Sequence, residues 1–592
     1  MDPGNWATDL QGGSLFGYRL IWVLVLSNLM ALLLQSLSAR LGIVSKRDLA
    51  QCNREVYPKS INYALYGLAE LAIAACDLAE VLGMAVGLNL LLHIPLLWGV
   101  GVTMLDTILL LYLQKLGMRK LEAFIIALIG IIALCFIIEM ILAKPDIHEI
   151  FRGIVPLLPP NPVGAGLNLR PDMALYIAIG IIGATVMPHN LYLHSALVQT
   201  RKVNEDHNSI KKAIKYNNWD SSIALNMALF VNAAILILAA SVFHANGHPE
   251  VAALKDAHQL LNKLLGSTWS SHLFAIALIA AGQSSTITGT LAGQIVMEGY
   301  LHLRINPLVR RLLTRLIAII PATLVIWIAG ESQVDSLLIF SQVLLSMQLA
   351  FAVIPLIHFV SDKKRMGAFA IGSTKKIISW SVAALIIILN VKLVAEEVFS
   401  FLTAHPAWWN YLIVLLICLL ILFLLGYILI FPFIKHSTIQ PTGIHPLHNR
   451  LPIDLNKGFE TIALALDYSD KDTSVLQYAL QMASANSIFV LIHVVESATA
   501  RRRGADTGDF ESIEDQKQLE IYANFFRGHG YQAKAILGYK YRVREIARIT
   551  IEAQASLLIV GSHGHKAVSD WVFGETINSV RHLLKIPVFI AQ

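Results

Sequence analysis

Apolar stretches of about 20 residues, the length a helix needs to cross a bilayer, recur along the first three quarters of this chain. They lie near 18–43, 63–92, 94–114, 120–143, 172–199, 218–244, 270–300, 309–329, 333–360, 377–397 and 411–434, and residues 2–17 read as half of one more. With 56% hydrophobic and 15% charged residues and a mean hydropathy of +0.61, the chain reads as a polytopic α-helical membrane protein embedded in lipid. A net charge of +6 over 592 residues gives no reason to expect a nucleic acid partner. Cys52, Cys76, Cys135 and Cys418 have no ligand-type spacing, and three lie in or near apolar spans. They read as small buried hydrophobes, with neither a disulfide framework nor a zinc site. The opening residues are polar and helix-breaking, unlike a cleavable signal peptide.

The connections set the orientation. Lys and Arg cluster after alternate spans: Arg40, Lys46 and Arg47; Lys115, Arg119 and Lys120; Arg201, Lys202, Lys211, Lys212 and Lys215; Arg304, Arg310 and Arg311; Lys363, Lys364, Arg365, Lys375 and Lys376. The loops between, such as 145–171 and 245–268, are poorer in both. The positive-inside rule assigns the first group to the cytoplasm, together with the end of the last span at Ile434 and Lys435. By the same parity, a chain starting at Met1 would start outside with nothing upstream to carry it there. The expectation is an N-terminally truncated first helix, with Met1 an internal methionine or a miscalled start and an engineered truncation as the alternative.

Two apolar spans are interrupted. Gly183-Ala184-Thr185-Val186-Met187-Pro188-His189-Asn190 breaks the fifth, and Asp2-Pro3-Gly4-Asn5 opens the chain. Proline lacks an N–H and clashes with the preceding turn, and freed backbone groups at membrane depth are tolerated only where they are buried in protein or line a cavity. A carboxylate, an amide oxygen and a thioether beside such breaks suit a cation site. The oxygens accept any divalent ion, while sulfur favours transition metals over Mg²⁺ or Ca²⁺. The plainer readings are a core gap-filling role for Met187 and an ordinary turn or cap for Asp2 and Asn5.

The second full span carries Glu70, Asp77 and Glu80. At 100° per residue they fall within an arc of about 80°. One buried charge costs about 2.5–3.5 kcal/mol on insertion scales, so this stripe faces protein or water. It reads as a proton route, or as a static ion pair with Arg311 or Arg315. Gln342 and Gln348 in the ninth full span offer an amide oxygen, and the hydroxyl residues Ser284 to Thr290 of the seventh read mostly as packing.

Four segments resemble the natural resistance-associated macrophage protein (Nramp) family of proton-coupled divalent-metal transporters. They are Asp2 to Asp9, Asp77-Leu78-Ala79-Glu80, Gly183 to Ser195, and Gly282 to Gly299. The resemblance covers nearly all of 1–434 and implies a leucine-transporter-like fold of two inverted five-helix repeats, with a half-helix before Asp2. It implies Asp2, Asn5 and Met187 as side-chain metal ligands, the Ala184 carbonyl as a further ligand, and Gln342 as an addition when the site closes. Asp77, Glu80 and His189 are implied in proton movement, with Glu70 on the same stripe and Arg315 as cationic partner. His194 matches a histidine linked to gating and pH response; read alone, it is a satisfied core residue.

From about residue 435 the apolar pattern stops. A connector, 435–457, leads to 458–592, where short β-rich runs alternate with helical stretches, an α/β unit of parallel, Rossmann-like type. This segment resembles the universal stress protein family. Gly561-Ser562-His563-Gly564 is followed at the family's spacing by Gly574, and Asp467 matches the position that meets adenosine. A Gly-rich turn opening a helix suits phosphate, but Glu575 stands where Ser or Thr is expected and would repel it. The expected ligand is ATP or another adenine nucleotide, AMP-like and cyclic forms included; the alternative is a non-binding dimerisation module. No Walker lysine, base or nucleophile appears, so no enzymatic activity is expected.

The reading is therefore a transporter domain at 1–434, a linker, and a cytoplasmic universal stress domain, in a bacterial inner membrane. Its substrates are protons with Mn²⁺ or Fe²⁺, and Cd²⁺, Co²⁺ and Zn²⁺ are further candidates. The other class that fits is a membrane metal sensor that signals through the appended domain without transport.

Overall fold

The structure is a computed structural model that describes residues 2–115, 118–160, 173–201, 203–249, 251, 253–267, 269–301, 307–404, 406–434, 459–497, 499–500, 504–561 and 576–591. It divides into two compact units. The first holds 1–195, 205–301 and 310–436; the second holds 437–592 with 196–204 and 302–309.

The first unit is helical throughout. Its helices are α1 (Pro3–Phe16), α2 (Ile21–Ser45), α3 (Leu49–Val56), α4 (Lys59–Leu92), α5 (Leu96–Lys115), α6 (Met118–Ala143), α7 (Ile147–Arg152), α8 (Met173–Val186), α9 (Pro188–Leu197), α10 (His207–Val242), α11 (Leu254–Leu265), α12 (Trp269–Leu301), α13 (Pro307–Ala329), α14 (Val334–Ser361), α15 (Lys363–Met366), α16 (Ser373–Ala404) and α17 (Trp408–Ile434). Among the described residues, nine helical stretches are long and apolar enough to cross a membrane. Each span expected from the sequence falls on a helix. The third and eighth have described apolar cores of only Leu96–Leu105 and Leu313–Ile328, and α1 runs on through one 3₁₀ turn into α2.

Lipid tails are as apolar as leucine, so close packing rather than exclusion from water holds such helices together. Among the described residues, two large buried clusters do most of this. One joins α2, α8 and α14 through Leu34, Leu41, Ile177 and Ile354; the other joins α1, α4, α6, α10 and α12 through Trp6, Leu82, Phe136, Leu238 and Phe274. Trp6 is the pin of the short helix α1. Its ring meets Phe136 at 5.0 Å and Phe274 edge-on at 5.2 Å, with no exposed surface. Helix α17 is the reverse case, with Leu415, Leu416, Leu419, Leu420 and Phe423 all exposed on the unit, as a lipid-facing helix requires.

The second unit is a five-stranded, all-parallel sheet of β1 (Phe459–Ala465), β2 (Ala483–Val495), β3 (Gln532–Tyr539), β4 (Leu557–Gly561) and β5 (Val588–Ala591) in the order β3-β2-β1-β4-β5. Its helices are α18 (Asp472–Met482), α19 (Phe510–Gly528), α20 (Arg542–Glu552) and α21 (Thr576–Leu583). The central strands are nearly continuous apolar runs, because both faces of the sheet are covered by helices. The strand order reverses between β1 and β4, and in such sheets ligands bind at the carboxyl ends of the strands there.

Candidate metal centre

The centre is built from two helix breaks and one intact helix. At the first break Asp2 is the N-cap of α1: its Oδ1 accepts from the Gly4 N–H at 3.3 Å, and Pro3 takes the first helical position, where its missing N–H costs nothing. Asn5 lies one turn on, buried, with Oδ1 unpartnered. At the second break α8 stops at Val186, Met187 takes φ +35°, and α9 starts at Pro188. An α-helical carbonyl accepts from the N–H four residues on. For Ala184 that residue is Pro188, which has none, so the carbonyl loses its helical donor. The left-handed backbone of Met187, uncommon outside glycine, redirects the chain at the same point. Its Sδ accepts from Asn190 Nδ2 at 3.4 Å.

Helix α14 bridges the two breaks. Gln342, fully buried, donates from Nε2 to Asp2 Oδ2 at 3.2 Å and to Ser341 Oγ at 3.0 Å, and its Oε1 is unpartnered. Two glycines permit this approach. A Cβ on Gly4 would lie 1.7 Å from Gln342 Nε2, and one on Gly183 would lie 2.2 Å from the Gln342 carbonyl oxygen. Among the described residues no three His, Cys, Asp or Glu side chains gather to hold a metal on their own. The groups gathered at the two breaks are a carboxylate, amides, a carbonyl and a thioether.

Beside this cage runs the acidic stripe of α4, and each member has a distinct partner. Glu80 Oε1 accepts from Ser285 Oγ at 2.8 Å, while Oε2 is buried and unpartnered. Asp77 pairs with Arg315 at 3.1 Å, and Arg315, almost fully buried, also donates to Thr286 Oγ1 at 3.0 Å. Glu70 accepts from Arg310 at 3.2 Å on both oxygens. The sequence leaves Arg311 or Arg315 open as the stripe's partner. The structure pairs Arg315 with Asp77 and gives Glu70 the loop-adjacent Arg310; the Arg311 side chain lies outside the described set. Ser285 and Thr286 therefore hold charged groups, beyond the packing role expected of them. Ser284, Thr288 and Thr290 bond back to their own helix, as packing residues do.

Two findings escape the sequence. Cys76 is buried as expected, packed with Ala72 and Leu345, yet its sulfur also meets polar atoms: Sγ lies 3.6 Å from Glu80 Oε1, 3.9 Å from Asp2 Oδ2 and 3.9 Å from His189 Nε2. It joins the cage side to the stripe side. His194 sits away from the cage, with Nδ1 at 3.0 Å from Gln35 Oε1 and Nε2 at 3.0 Å from Asn217 Nδ2, so it ties α9 to α2 and α10.

Residues 1–396 match the family model described as natural resistance-associated macrophage protein-like. The chain belongs to the Nramp family. The divalent metal cation transporter MntH of Bradyrhizobium diazoefficiens is 56% identical to this Nramp chain over 396 residues, 67% of the chain and 86% of the relative. The protein of the same name from Listeria welshimeri is 53% identical over 393 residues, 66% and 86%. The crystal structure of the Eremococcus coleocola manganese transporter aligns with a TM-score of 0.65 at 36% identity, covering 73% of this chain and 91% of that one. Residues 458–592 match the universal stress protein family model, so the Nramp part carries a universal stress domain behind it.

In that domain Asp467 lies exposed just past the end of β1, and its Oδ1 accepts from the Ser469 N–H at 3.2 Å. Gly561 ends β4, the strand beside β1, so the two positions flank the point where the strand order reverses. Asp472 is buried behind them and accepts from the backbone N–H groups of Asp467 and Tyr468. Burial, with the Asp467 charge adding to it, pushes Asp472 up to about 8. Gly564 and Gly574 lie outside the described residues.

Proposed function

We propose that this chain imports Mn²⁺ or Fe²⁺ with protons, by alternating access around Asp2, Asn5, the Ala184 carbonyl and Met187. Membership of the Nramp family makes it a divalent metal cation transporter; the proposal concerns the ion, the coupling and the residues. The observation that carries it is the second break, where Pro188 deprives Ala184 of its helical donor beside the thioether of Met187. A hard and a soft donor thus meet at one point, which suits Mn²⁺ and Fe²⁺ better than Ca²⁺ or Mg²⁺. Gln342 is the donor that joins on closure, turning its amide so that Oε1 replaces Nε2 toward the ion. Asp77 and Glu80 on α4, with His189 at the start of α9, carry protons toward Arg315, Glu70 lies further along the stripe, and His194 acts at a distance from the cage. The paired broken helices support the leucine-transporter-like inverted repeat, since such folds bind ions at half-helix ends.

The spread of Lys and Arg supports a cytoplasmic 458–592 in a bacterial inner membrane. The exposed Asp467 beside the reversal of strand order supports an adenine nucleotide ligand in that domain. The deciding experiment uses the full-length protein in proteoliposomes with a manganese-quenched dye and an internal pH dye. Mn²⁺ entry accompanied by acidification is expected. Saturable Mn²⁺ binding with no flux would leave the sensor reading standing instead.

A further inference from the structure

A buried cysteine among apolar side chains is a small hydrophobe with a weak S–H donor. Cys76 does pack with Ala72 and Leu345, but its sulfur has polar neighbours as well. The residue is 1% exposed, and its sulfur lies 3.6–3.9 Å from two carboxylates and an imidazole. Those separations are long for strong hydrogen bonds, but they match two donors sharing one metal. With zinc-like bond lengths of about 2.3 Å to sulfur and about 2.0–2.2 Å to oxygen, donors at a tetrahedral angle stand roughly 3.6 Å apart. A larger soft cation widens this toward the 3.9 Å seen between Cys76 Sγ and Asp2 Oδ2. The same interior holds polar atoms with no partner, Asn5 Oδ1, Gln342 Oε1 and Glu80 Oε2, in side chains at least nine-tenths buried. Of these, Glu80 is a neighbour of the thiol and Gln342 a neighbour of Asp2.

We propose that Cys76 sets metal selectivity as an extra soft donor, binding thiophilic divalent cations, Cd²⁺ foremost, together with Asp2 at the edge of the cage. This rests on the cage proposed above and deepens it. Met187 supplies one sulfur from α8–α9, and Cys76 supplies a second from α4. An ion that prefers oxygen, such as Mn²⁺, gains little from the thiol, whereas a thiophilic ion gains a ligand that Mn²⁺ does not use. As the cadmium–sulfur bond forms, the S–H proton leaves, and Glu80 Oε1 is the nearest acceptor at 3.6 Å. Cys76 is an addition to a site held by Asp2, not a separate centre.

The test compares full-length wild-type protein with Cys76→Ser and Cys76→Ala in proteoliposomes, titrating Cd²⁺ against Mn²⁺ uptake. The ratio of Cd²⁺ to Mn²⁺ apparent affinity should fall tenfold or more in both variants. The second readout needs no transport. Adding Cd²⁺ to detergent-purified protein should raise an ultraviolet cadmium–thiolate charge-transfer band that Cys76→Ser removes and Cys135→Ser keeps. An unchanged affinity ratio, or a band that survives Cys76→Ser, would overturn the proposal. So would equal weakening of both ions, the signature of a purely structural cysteine. If the wild type moves no Mn²⁺ at all, the transport reading fails by itself, and the band still decides the role of Cys76.

Discussion

Gln342 on α14 donates to the Asp2 carboxylate at 3.2 Å, which ties an unbroken helix to the break at the start of α1. The contact exists because α8 also crosses α14 closely at Gly183, where a Cβ would sit 2.2 Å from the Gln342 carbonyl oxygen. Neither atom there is the end of a flexible side chain, so Gly183→Ala must push α8 and α14 apart. Overpacking of this kind costs about 1–3 kcal/mol. Mn²⁺ uptake should fall at least tenfold while the protein still inserts and purifies. Uptake and thermal unfolding measured together check this, and wild-type uptake in the variant would show that the helices part freely.

Met187→Ala removes the thioether and keeps the break made by Pro188. Ca²⁺ should then compete with Mn²⁺ about tenfold better, a loss of about 1.4 kcal/mol of discrimination, while Mn²⁺ uptake falls by less. Competition assays in proteoliposomes read both quantities. Equal Ca²⁺ exclusion in variant and wild type would remove sulfur from the selectivity of the cage.

How the helices turn toward one another is what the sequence hides. The breaks at Asp2–Asn5 and Ala184–Pro188 are legible because proline and glycine interrupt a helix locally, whatever surrounds it. The stripe of Glu70, Asp77 and Glu80 is legible because helical period alone puts those residues on one face. Which arginine meets which carboxylate depends on the depth and rotation of α13 against α4, and no one-dimensional pattern carries that. Cys76 reads as apolar for the same reason: its polar neighbours come from α1 and α9 as well as α4. Choosing Gln342 over Gln348 takes the family resemblance, since both offer an amide on the same span. Gly4 and Gly183 matter through an absent Cβ, which becomes visible only once α14 lies against both breaks.

Asp77→Asn keeps shape and removes the charge that faces Arg315 at 3.1 Å. Metal-coupled acidification should fall to near background, with Mn²⁺ binding within about threefold of wild type. Removing the charge opposite the buried guanidinium weakens a buried ion pair, so the single variant is also expected to be less stable. The double variant Asp77→Asn/Arg315→Gln should recover stability without recovering proton flux. Calorimetric Mn²⁺ binding, thermal unfolding and internal pH separate these outcomes, and full acidification in the single variant would take Asp77 off the proton route.

Asp472 makes the universal stress domain sensitive to pH in a direction opposite to that of a salt-bridged carboxylate. Burial, then the Asp467 charge, raises it from the ordinary aspartate range to about 8, so the folded domain keeps a proton that the unfolded chain has released. Between about pH 4 and pH 8 unfolding therefore releases a proton, and stability must fall as pH rises through that window and level off above it. Asp472→Asn cannot ionise, so the slope it contributes should vanish. The same change leaves one acceptor for the two backbone donors of Asp467 and Tyr468, which should lower stability at every pH by about 1 kcal/mol. Hydrogen–deuterium exchange of the β1 and α18 amides in the full-length protein, corrected for the intrinsic pH dependence of exchange, measures both effects. A slope that persists unchanged in Asp472→Asn would mean that another group carries the proton.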